Sequence, residues 1–284
     1  MMALRGQTGR ERSVAGSVSK YAVLICFLLV FLVPIIWIWL SAFKAPKEIS
    51  KNPFGIPEVW RWGNFAEAWS TGRFGQNLGN SLIYAVAIVG GVTILASLGG
   101  YALASLPLPA PNALLVMFML GLMIPFESVM IPLFYLERDL HMLGTYWAFI
   151  IPGIALRLPF GIFLMRGFFK GLPKELADAA RVDGANEWEA FRDVMLPLAK
   201  PGMSALIVFQ FLWTWNQFLL PLVMVQKDEL RPVSTGMMFF FGRFTAQRDL
   251  IAAGAVIAMI PVLVLYLLMQ RRFIEGVTAG ALKS

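Results

Sequence analysis

Long apolar runs alternate with shorter polar segments along most of this chain. The first run extends from Tyr21 to Phe43, and two others, 201–223 and 250–269, contain no charged residue. A helix that spans a lipid bilayer needs about 20 consecutive apolar residues, so each run is long enough to cross once. The pattern therefore predicts membrane-spanning helices at all three positions.

The stretch between Arg73 and Glu127 contains 53 uncharged residues, which is too long for a single crossing. Three prolines interrupt it, and proline cannot continue a helix: Pro107, Pro109 and Pro111. We therefore predict helices over about 78–104 and 113–135, with a fourth over about 145–168. The chain is then an all-α polytopic membrane protein with about six transmembrane helices.

Composition supports a bilayer as the solvent. Hydrophobic residues make up 58% of the chain and charged residues 14%, whereas soluble domains are nearer half apolar and a quarter charged. The net charge of +7 is scattered over connecting segments, which suits charges that flank a bilayer and not a nucleic-acid surface. A single cysteine and a single histidine, Cys26 and His141, give no basis for a disulfide or a metal site.

The basic N-terminal segment favours a cytoplasmic N-terminus, and an even number of crossings then places the C-terminus on the same side. We predict a cytoplasmic segment at 1–20, a transmembrane domain at 21–271 and a cytoplasmic tail at 272–284. The segment at 44–77 is rich in tryptophan. Those rings suit a membrane–water interface, as functional anchors or as a plain aromatic belt.

A polar island at 170–200 separates the fourth and fifth predicted helices. Pro173 suits the first turn of a helix, which predicts a short helix over Lys174–Val182. Gly184 suits the left-handed position that ends such a helix.

The second half of the island predicts another helix. Asn186 and Glu189 have the spacing of a capping box at its start, and Pro197 is predicted to end it. The island then forms a helical hairpin outside the membrane. Its small residues would let another protein approach closely: Ala177, Ala179, Ala180 and Ala185.

The spacing of this hairpin resembles the EAA loop of ATP-binding-cassette (ABC) importer permeases. The family pattern is Glu-Ala-Ala, three residues, Gly, nine residues, Ile, one residue, Leu-Pro. This chain matches the spacing throughout, with Asp in place of Glu and Val in place of Ile: Asp178, Ala179, Ala180, Gly184, Val194, Leu196 and Pro197. The shorter Asp178 would reach about one methylene less far toward a partner.

The resemblance continues beyond the hairpin. The segments at 158–169, 215–222 and 270–284 look like those of carbohydrate-type permeases, in the maltose/oligosaccharide or glycerol-phosphate branch. The resemblance implies a permease subunit in a bacterial or archaeal cytoplasmic membrane. It would form half of the pathway for a sugar, together with a second permease chain, two ATPase subunits and an extracytoplasmic sugar-binding protein.

The same resemblance implies roles for two regions. The coupling loop at 170–200 would sit in a cleft of the ATPase, with Asp178 facing a basic residue there and Gly184 permitting the turn. The C-terminal tail would enter the interface between the two ATPases, through Gly276, Thr278, Gly280 and Lys283.

The chain carries no phosphate-binding Gly-x-x-x-x-Gly-Lys-Ser/Thr loop. We therefore expect ATP and Mg to bind in the partner ATPase, with no cofactor bound by this chain and no catalytic residue in it. An intramembrane enzyme would need a nucleophile with a base or a metal set, and the sequence offers neither. A channel or ion-coupled transporter would have no use for the hairpin.

Charged residues inside the bilayer are candidates for function. Glu127 and Arg157 are predicted either to line the pathway or pair with each other, or to lie where their helices break at the interface. Aromatic faces and amides on the fifth helix suit a sugar, although helix packing explains them equally well: Trp213, Trp215, Asn216 and Gln217.

Overall fold

The computed structural model describes residues 5–241 and 247–281, and the surroundings of side chains over 18–241 and 247–270. Every regular element in the described part of the chain is a helix. The first eight helices are α1 (Arg5–Ala42), α2 (Pro46–Lys51), α3 (Gly63–Thr71), α4 (Phe74–Ser105), α5 (Pro111–Leu122), α6 (Phe126–Asp139), α7 (Trp147–Lys170) and α8 (Lys174–Val182).

Shorter elements follow before the last long helix. They are α9 (Glu187–Glu189), a π-helical turn (Ala190–Met195), α10 (Leu196–Leu198), α11 (Lys200–Asn216), α12 (Leu219–Met224), a 3₁₀ turn (Asp228–Leu230), α13 (Val233–Gly236), a 3₁₀ turn (Met237–Phe240) and α14 (Arg248–Ala281).

Four helices are long and apolar enough to cross a bilayer: Val18–Ala42 within α1, α4, α7 and Arg248–Gln270 within α14. Two bent pairs of helices in the described chain bring the number to as many as six. These findings confirm the all-α polytopic architecture. They also confirm four predicted spans, because within a bilayer a helix satisfies the backbone hydrogen bonds of a long apolar run internally.

The third predicted span, 113–135, is wrong as a single helix. It consists of α5 and α6, which are bent by 90° at Met123–Pro125. Pro125 has no N–H to donate and disfavours a helical conformation at the residue before it, so the helix ends there. Pro132 lies inside α6 without ending it.

The fifth predicted span, 201–223, is also interrupted. α11 ends at Asn216, and α12 begins at Leu219. Pro221 cannot donate to the carbonyl of Gln217, four residues earlier. That carbonyl instead accepts a hydrogen bond from the hydroxyl of Ser234, at 2.7 Å.

The chain divides into two compact units. The first unit comprises Met1–Thr71 with Phe240–Ile257. Within it, the fully buried Lys44 donates to the carbonyls of Asn52 and Pro53, at 2.8 and 3.2 Å. The ring of Phe43 packs against several aromatic neighbours nearby, Trp60, Trp62 and Phe65.

The second unit comprises Gly72–Phe239 with Ala258–Ser284, and its core lies between α4 and α7. Small residues allow these helices to approach closely. A Cβ added at Gly100 would lie 2.7 Å from the Cβ of Met165, and one at Gly161 would lie 2.8 Å from the Cβ of Ala96. The hairpin lies at one end of this helix pair.

Candidate functional site

The turn of the hairpin is built around Gly184. Its φ of +92° is a left-handed conformation that only glycine adopts readily. The N–H of Ala185 donates to the carbonyl of Ala180 at 3.0 Å, and the N–H of Gly184 donates to that of Arg181 at 3.1 Å. These two bonds form a Schellman motif, which satisfies carbonyls that α8 leaves free at its end. The predicted left-handed helix end is confirmed.

The second arm begins with the predicted capping box. The Asn186 N–H donates to the carboxylate of Glu189 at 2.9 Å, and the Glu189 N–H donates to the side-chain oxygen of Asn186 at 3.0 Å. The predicted end of this arm is wrong, because Pro197 lies inside α10. The wider π-helical turn that precedes α10 provides room for the proline ring. The chain bends at Ala199 instead, by 74°.

One face of the hairpin packs on the transmembrane helices. Ala177, Phe191 and Met195 are buried on this face. The ring of Tyr101, near the end of α4, packs against Phe191 at 5.0 Å between centroids. Val194 and Leu196 are partly buried against the same core, whereas Pro197 is exposed. Two apolar positions of the motif, Val194 and Leu196, thus take part in packing the hairpin on the transmembrane helices.

A network of ion pairs and hydrogen bonds joins the two arms of the hairpin and reaches α4. Arg181 contacts Asp178 at 2.6 Å and Glu187 at 2.8 Å. The hydroxyl of Tyr101 donates to Glu187 at 3.3 Å. The Arg181 guanidinium lowers the pKa of Glu187, and hydrogen bonding to Glu187 raises the pKa of Arg181.

Sequence reasoning missed Tyr101, Arg181 and Glu187. The spacing of Asp178 and Arg181 is that of an i, i+3 ion pair on a helix, which is a readable signal. Tyr101 lies 86 residues from Glu187 in the chain, and no local pattern joins them. Asp178 therefore already has a basic partner within the chain, and its carboxyl group remains largely accessible to a second one.

Three large apolar side chains of the hairpin are exposed. Leu176, Val182 and Trp188 are 39%, 87% and 55% exposed. Ala179 is exposed beside them, and Ala180 is half-buried. Apolar side chains next to a carboxylate and small residues form a surface that suits another protein.

The tail residues lie at the edge of what is described. Gly276, Thr278 and Gly280 belong to the backbone of α14, and Lys283 lies outside the described residues. Their role at an ATPase interface stays a prediction.

Glu127 and Arg157 are not brought together. Glu127 is exposed in the first turn of α6, where a carboxylate favours the positive end of the helix dipole. Arg157 is buried in α7 and donates to the carbonyls of Gly153 at 3.0 Å and Trp213 at 3.4 Å. No ion pair joins it to a carboxylate within the described chain, so pairing with Glu127 is wrong for this structure.

The predicted sugar-contact residues lie at the end of α11 and the break after it, and they separate into two groups. Trp215 is buried, stacks on Phe211 and donates to the carbonyl of Ala258 at 3.1 Å, so in this structure it packs helices. Trp213 and Asn216 are exposed, and Gln217 is half-buried. Trp213 and Asn216 lie in the last turn of α11, and Gln217 lies in the break that follows it.

No group of three His, Cys, Asp or Glu side chains in the described residues is placed to hold a metal ion. His141 has a φ of +55° in the turn after α6.

Comparison with known proteins places this arrangement in a family. Residues 94–278 match the family model described as "Binding-protein-dependent transport system inner membrane component". This region contains the last part of α4, all of α7, the hairpin and the break after α11.

Relatives match along almost the whole chain. The diacetylchitobiose uptake system permease protein NgcG of Streptomyces coelicolor is 34% identical over 93% of this chain and 88% of its own length. The arabinooligosaccharides transport system permease protein AraQ of Halalkalibacterium halodurans is 34% identical over 91% of this chain and 93% of its own length. The trehalose transport system permease protein SugB of Mycobacterium tuberculosis is 32% identical over 89% and 92%.

A solved structure shares the fold. A chain from the crystal structure of a bacterial ABC transporter involved in the import of the acidic polysaccharide alginate superposes with a TM-score of 0.79. The two chains are 23% identical, and the match covers 93% of this chain and 98% of that one. This chain therefore belongs to the binding-protein-dependent transport system inner membrane components, as a permease subunit of the carbohydrate ABC-importer type and not an enzyme.

Proposed function

We propose that this chain forms half of a translocation pathway for a di- or oligosaccharide and transmits the ATPase cycle to it through the hairpin at 170–200. The family match and the relatives that carry diacetylchitobiose, arabinooligosaccharides and trehalose support this substrate class. The observation that carries this proposal is that Leu176 and Val182 are exposed on the helix that contains Asp178, while other apolar residues of the hairpin are packed on α4 and α7.

The proposed assembly contains a second permease chain, two ATPase subunits and an extracytoplasmic sugar-binding protein. ATP and Mg bind in the ATPases, and this chain holds no cofactor. Closure of the ATPases moves the hairpin, and α4 and α7 move with it because Tyr101, Phe169 and Phe191 pack together. The pathway changes state only as far as nucleotide and loaded binding protein favour one state over the other.

Three of the site residues are proposed to contact sugar: Trp213, Asn216 and Gln217. A tryptophan face stacks on a sugar ring, and amides bind its hydroxyls. They lie at a break in a membrane helix. Irregular backbone inside a membrane is tolerated where it lines a cavity, and such breaks form substrate sites in transporters.

Reconstitution in liposomes tests this function. The chain with its partner permease, ATPases and binding protein is expected to take up sugar only when ATP is present inside. The chain inserted alone is the control, and sugar uptake by it alone would refute the proposal.

Cysteine labelling tests the proposed orientation, with both termini and the hairpin in the cytoplasm. In a Cys26→Ala background, Val182→Cys lies on the hairpin and Glu58→Cys lies in the segment after α1. A membrane-impermeant maleimide added outside intact cells is expected to label only the cysteine at 58. Labelling of the cysteine at position 182 under the same conditions would show that the hairpin lies outside the cell and that the proposed orientation is wrong.

A further inference from the structure

A cavity of about 400 Å³ lies beside the hairpin, where α4 and α7 end. It opens between the end of α4, the end of α7 and the first two turns of α8. Its lining residues are Ala104, Ser105, Leu106, Pro107, Phe169, Lys170, Leu172, Lys174, Ala177, Asp178, Arg181 and Met195.

Two candidate membrane spans end at the cavity. Ser105 and Lys170 are the last residues of two candidate membrane spans, and both line it. A span ends where the hydrocarbon core ends, so the neighbouring layer is the polar headgroup region.

The rim of the cavity carries an excess of positive charge. Arg181 is held by Asp178 and Glu187, whereas Lys170 and Lys174 are exposed and have no hydrogen bond or ion pair to another described residue. The first N–H groups of α8 have no side-chain cap, because Pro173 occupies the N-cap position. Two lysines without a partner in the described chain and the uncapped start of α8 therefore border the same cavity.

The floor of the cavity is apolar. Leu106, Phe169 and Leu172 line it together with Met195. A free inorganic anion gains nothing from such a floor, whereas the glycerol and upper acyl carbons of a phospholipid bury apolar surface there. Basic pockets between transmembrane helices at this level suit anionic lipid headgroups.

We propose that this cavity binds the phosphate group of an anionic phospholipid. Lys170 and Lys174 contact the phosphate, and the apolar floor contacts the glycerol backbone. The lipid then bridges the end of α7 to the start of α8, and its presence stabilises the hairpin against the membrane. The effect of the lipid on the hairpin, and the location of the cavity on the cytoplasmic side of the membrane, rest on the proposed function.

Lipid binding to the purified importer complex tests the site. Native mass spectrometry in detergent would measure the affinity for phosphatidylglycerol and for phosphatidylcholine. Each ammonium near a membrane surface is worth about fivefold in affinity for an anionic lipid. The double variant Lys170→Gln/Lys174→Gln is expected to bind phosphatidylglycerol at least tenfold more weakly, with phosphatidylcholine unchanged.

Lys200→Gln is the matched control. Lys200 is an exposed lysine at the start of α11, outside the cavity, and its variant is expected to keep wild-type lipid affinity. Equal phosphatidylglycerol binding by wild type and the double variant would overturn the site, as would an equal loss in the control.

Two further measurements identify the occupant. Millimolar inorganic phosphate is expected to leave phosphatidylglycerol bound, and complete displacement would mean that free phosphate is the ligand. Phosphatidylglycerol is expected to stay bound with the ATPases present, and its release by them would assign the cavity to an ATPase segment.

Transport is measured separately from lipid binding. We expect ATP-driven sugar uptake to be lower in proteoliposomes made of phosphatidylcholine alone than in proteoliposomes that also contain phosphatidylglycerol. Lipid binding without any ATP-driven uptake would refute the proposed function and leave the site intact. Uptake without selective lipid binding would refute the site alone.

Discussion

Gly184 turns the hairpin in a conformation that an L-residue adopts only at a cost. A Cβ at this position would meet no atom within 4 Å, so the cost of Gly184→Ala is backbone strain alone, about 1–2 kcal/mol. We expect this variant to insert normally but to transport fewer sugars per ATP hydrolysed. The measurement is the number of sugars transported per ATP in the reconstituted importer.

Gly167→Ala is the control for this substitution. Gly167 is also free of neighbours within 4 Å, but it lies in α7 without a positive φ. Alanine there is expected to be neutral or to stabilise the helix by about 0.5–1 kcal/mol. A normal transport ratio in Gly184→Ala would show that the left-handed turn has no part in coupling.

Glu187 connects the hairpin to α4 through Arg181 and Tyr101. The pair with Arg181 is exposed, so Glu187→Gln should change the free energy of unfolding by less than about 1 kcal/mol. We expect ATP hydrolysis to continue with fewer sugars transported. Tyr101→Phe should add little to the Glu187→Gln defect in a double-mutant cycle.

Asp193→Asn is the matched control, because Asp193 forms an exposed ion pair with Arg192 alone. It should leave the transport ratio unchanged. Coupling that was as poor in Asp193→Asn as in Glu187→Gln would contradict the proposed connection.

Arg181 lowers the pKa of Glu187, so the ion pair is present above the ordinary glutamate pKa and is lost as the pH falls through the lowered value.

At the scale of elements, uncharged runs predicted four spans closely but did not reveal which prolines break a helix. Pro132 and Pro197 lie inside helices, whereas the chain breaks at Pro125 and before Pro221. Ser234 donates to the carbonyl freed before Pro221, and this contact between distant residues has no local sequence signal.

Pro221→Ala tests whether the break in the fifth span is functional. The new N–H can donate to the carbonyl of Gln217 and continue the helix, which removes a penalty of up to about 3 kcal/mol. We expect a more stable protein that transports less, because a continuous helix withdraws Gln217 from the pathway. Thermal unfolding and sugar uptake by the reconstituted importer measure the two effects.

Pro132→Ala provides the comparison, since Pro132 already lies within a continuous helix. It is expected to stabilise α6 without changing uptake. If both variants transported normally, the break would be a packing feature and not part of the sugar site.

For the whole molecule, the sequence predicted the hairpin and its turn because their signals are local. It did not predict how the hairpin is attached. Arg166 in α7 donates to the carbonyl of Leu103 and to Asn112, and this contact fixes the end of α4 beside the hairpin. The sequence singled out only Arg157, because a charge deep in an apolar run is conspicuous, whereas Arg166 lies near the polar island.

These two buried arginines of α7 are expected to respond oppositely to methionine. Arg157 has carbonyl partners only, and its Nε has no hydrogen-bond partner in the described residues. A charge at the centre of a span costs about 2.5–3.5 kcal/mol, so Arg157→Met should keep or raise stability while it lowers uptake. Arg166→Met should instead destabilise the assembly by about 1–3 kcal/mol, because it removes the donor to the buried carbonyl of Leu103. Thermal unfolding of the complex measures stability, and sugar uptake per assembled complex measures transport. Normal uptake by Arg157→Met would show that this residue has no part in the pathway.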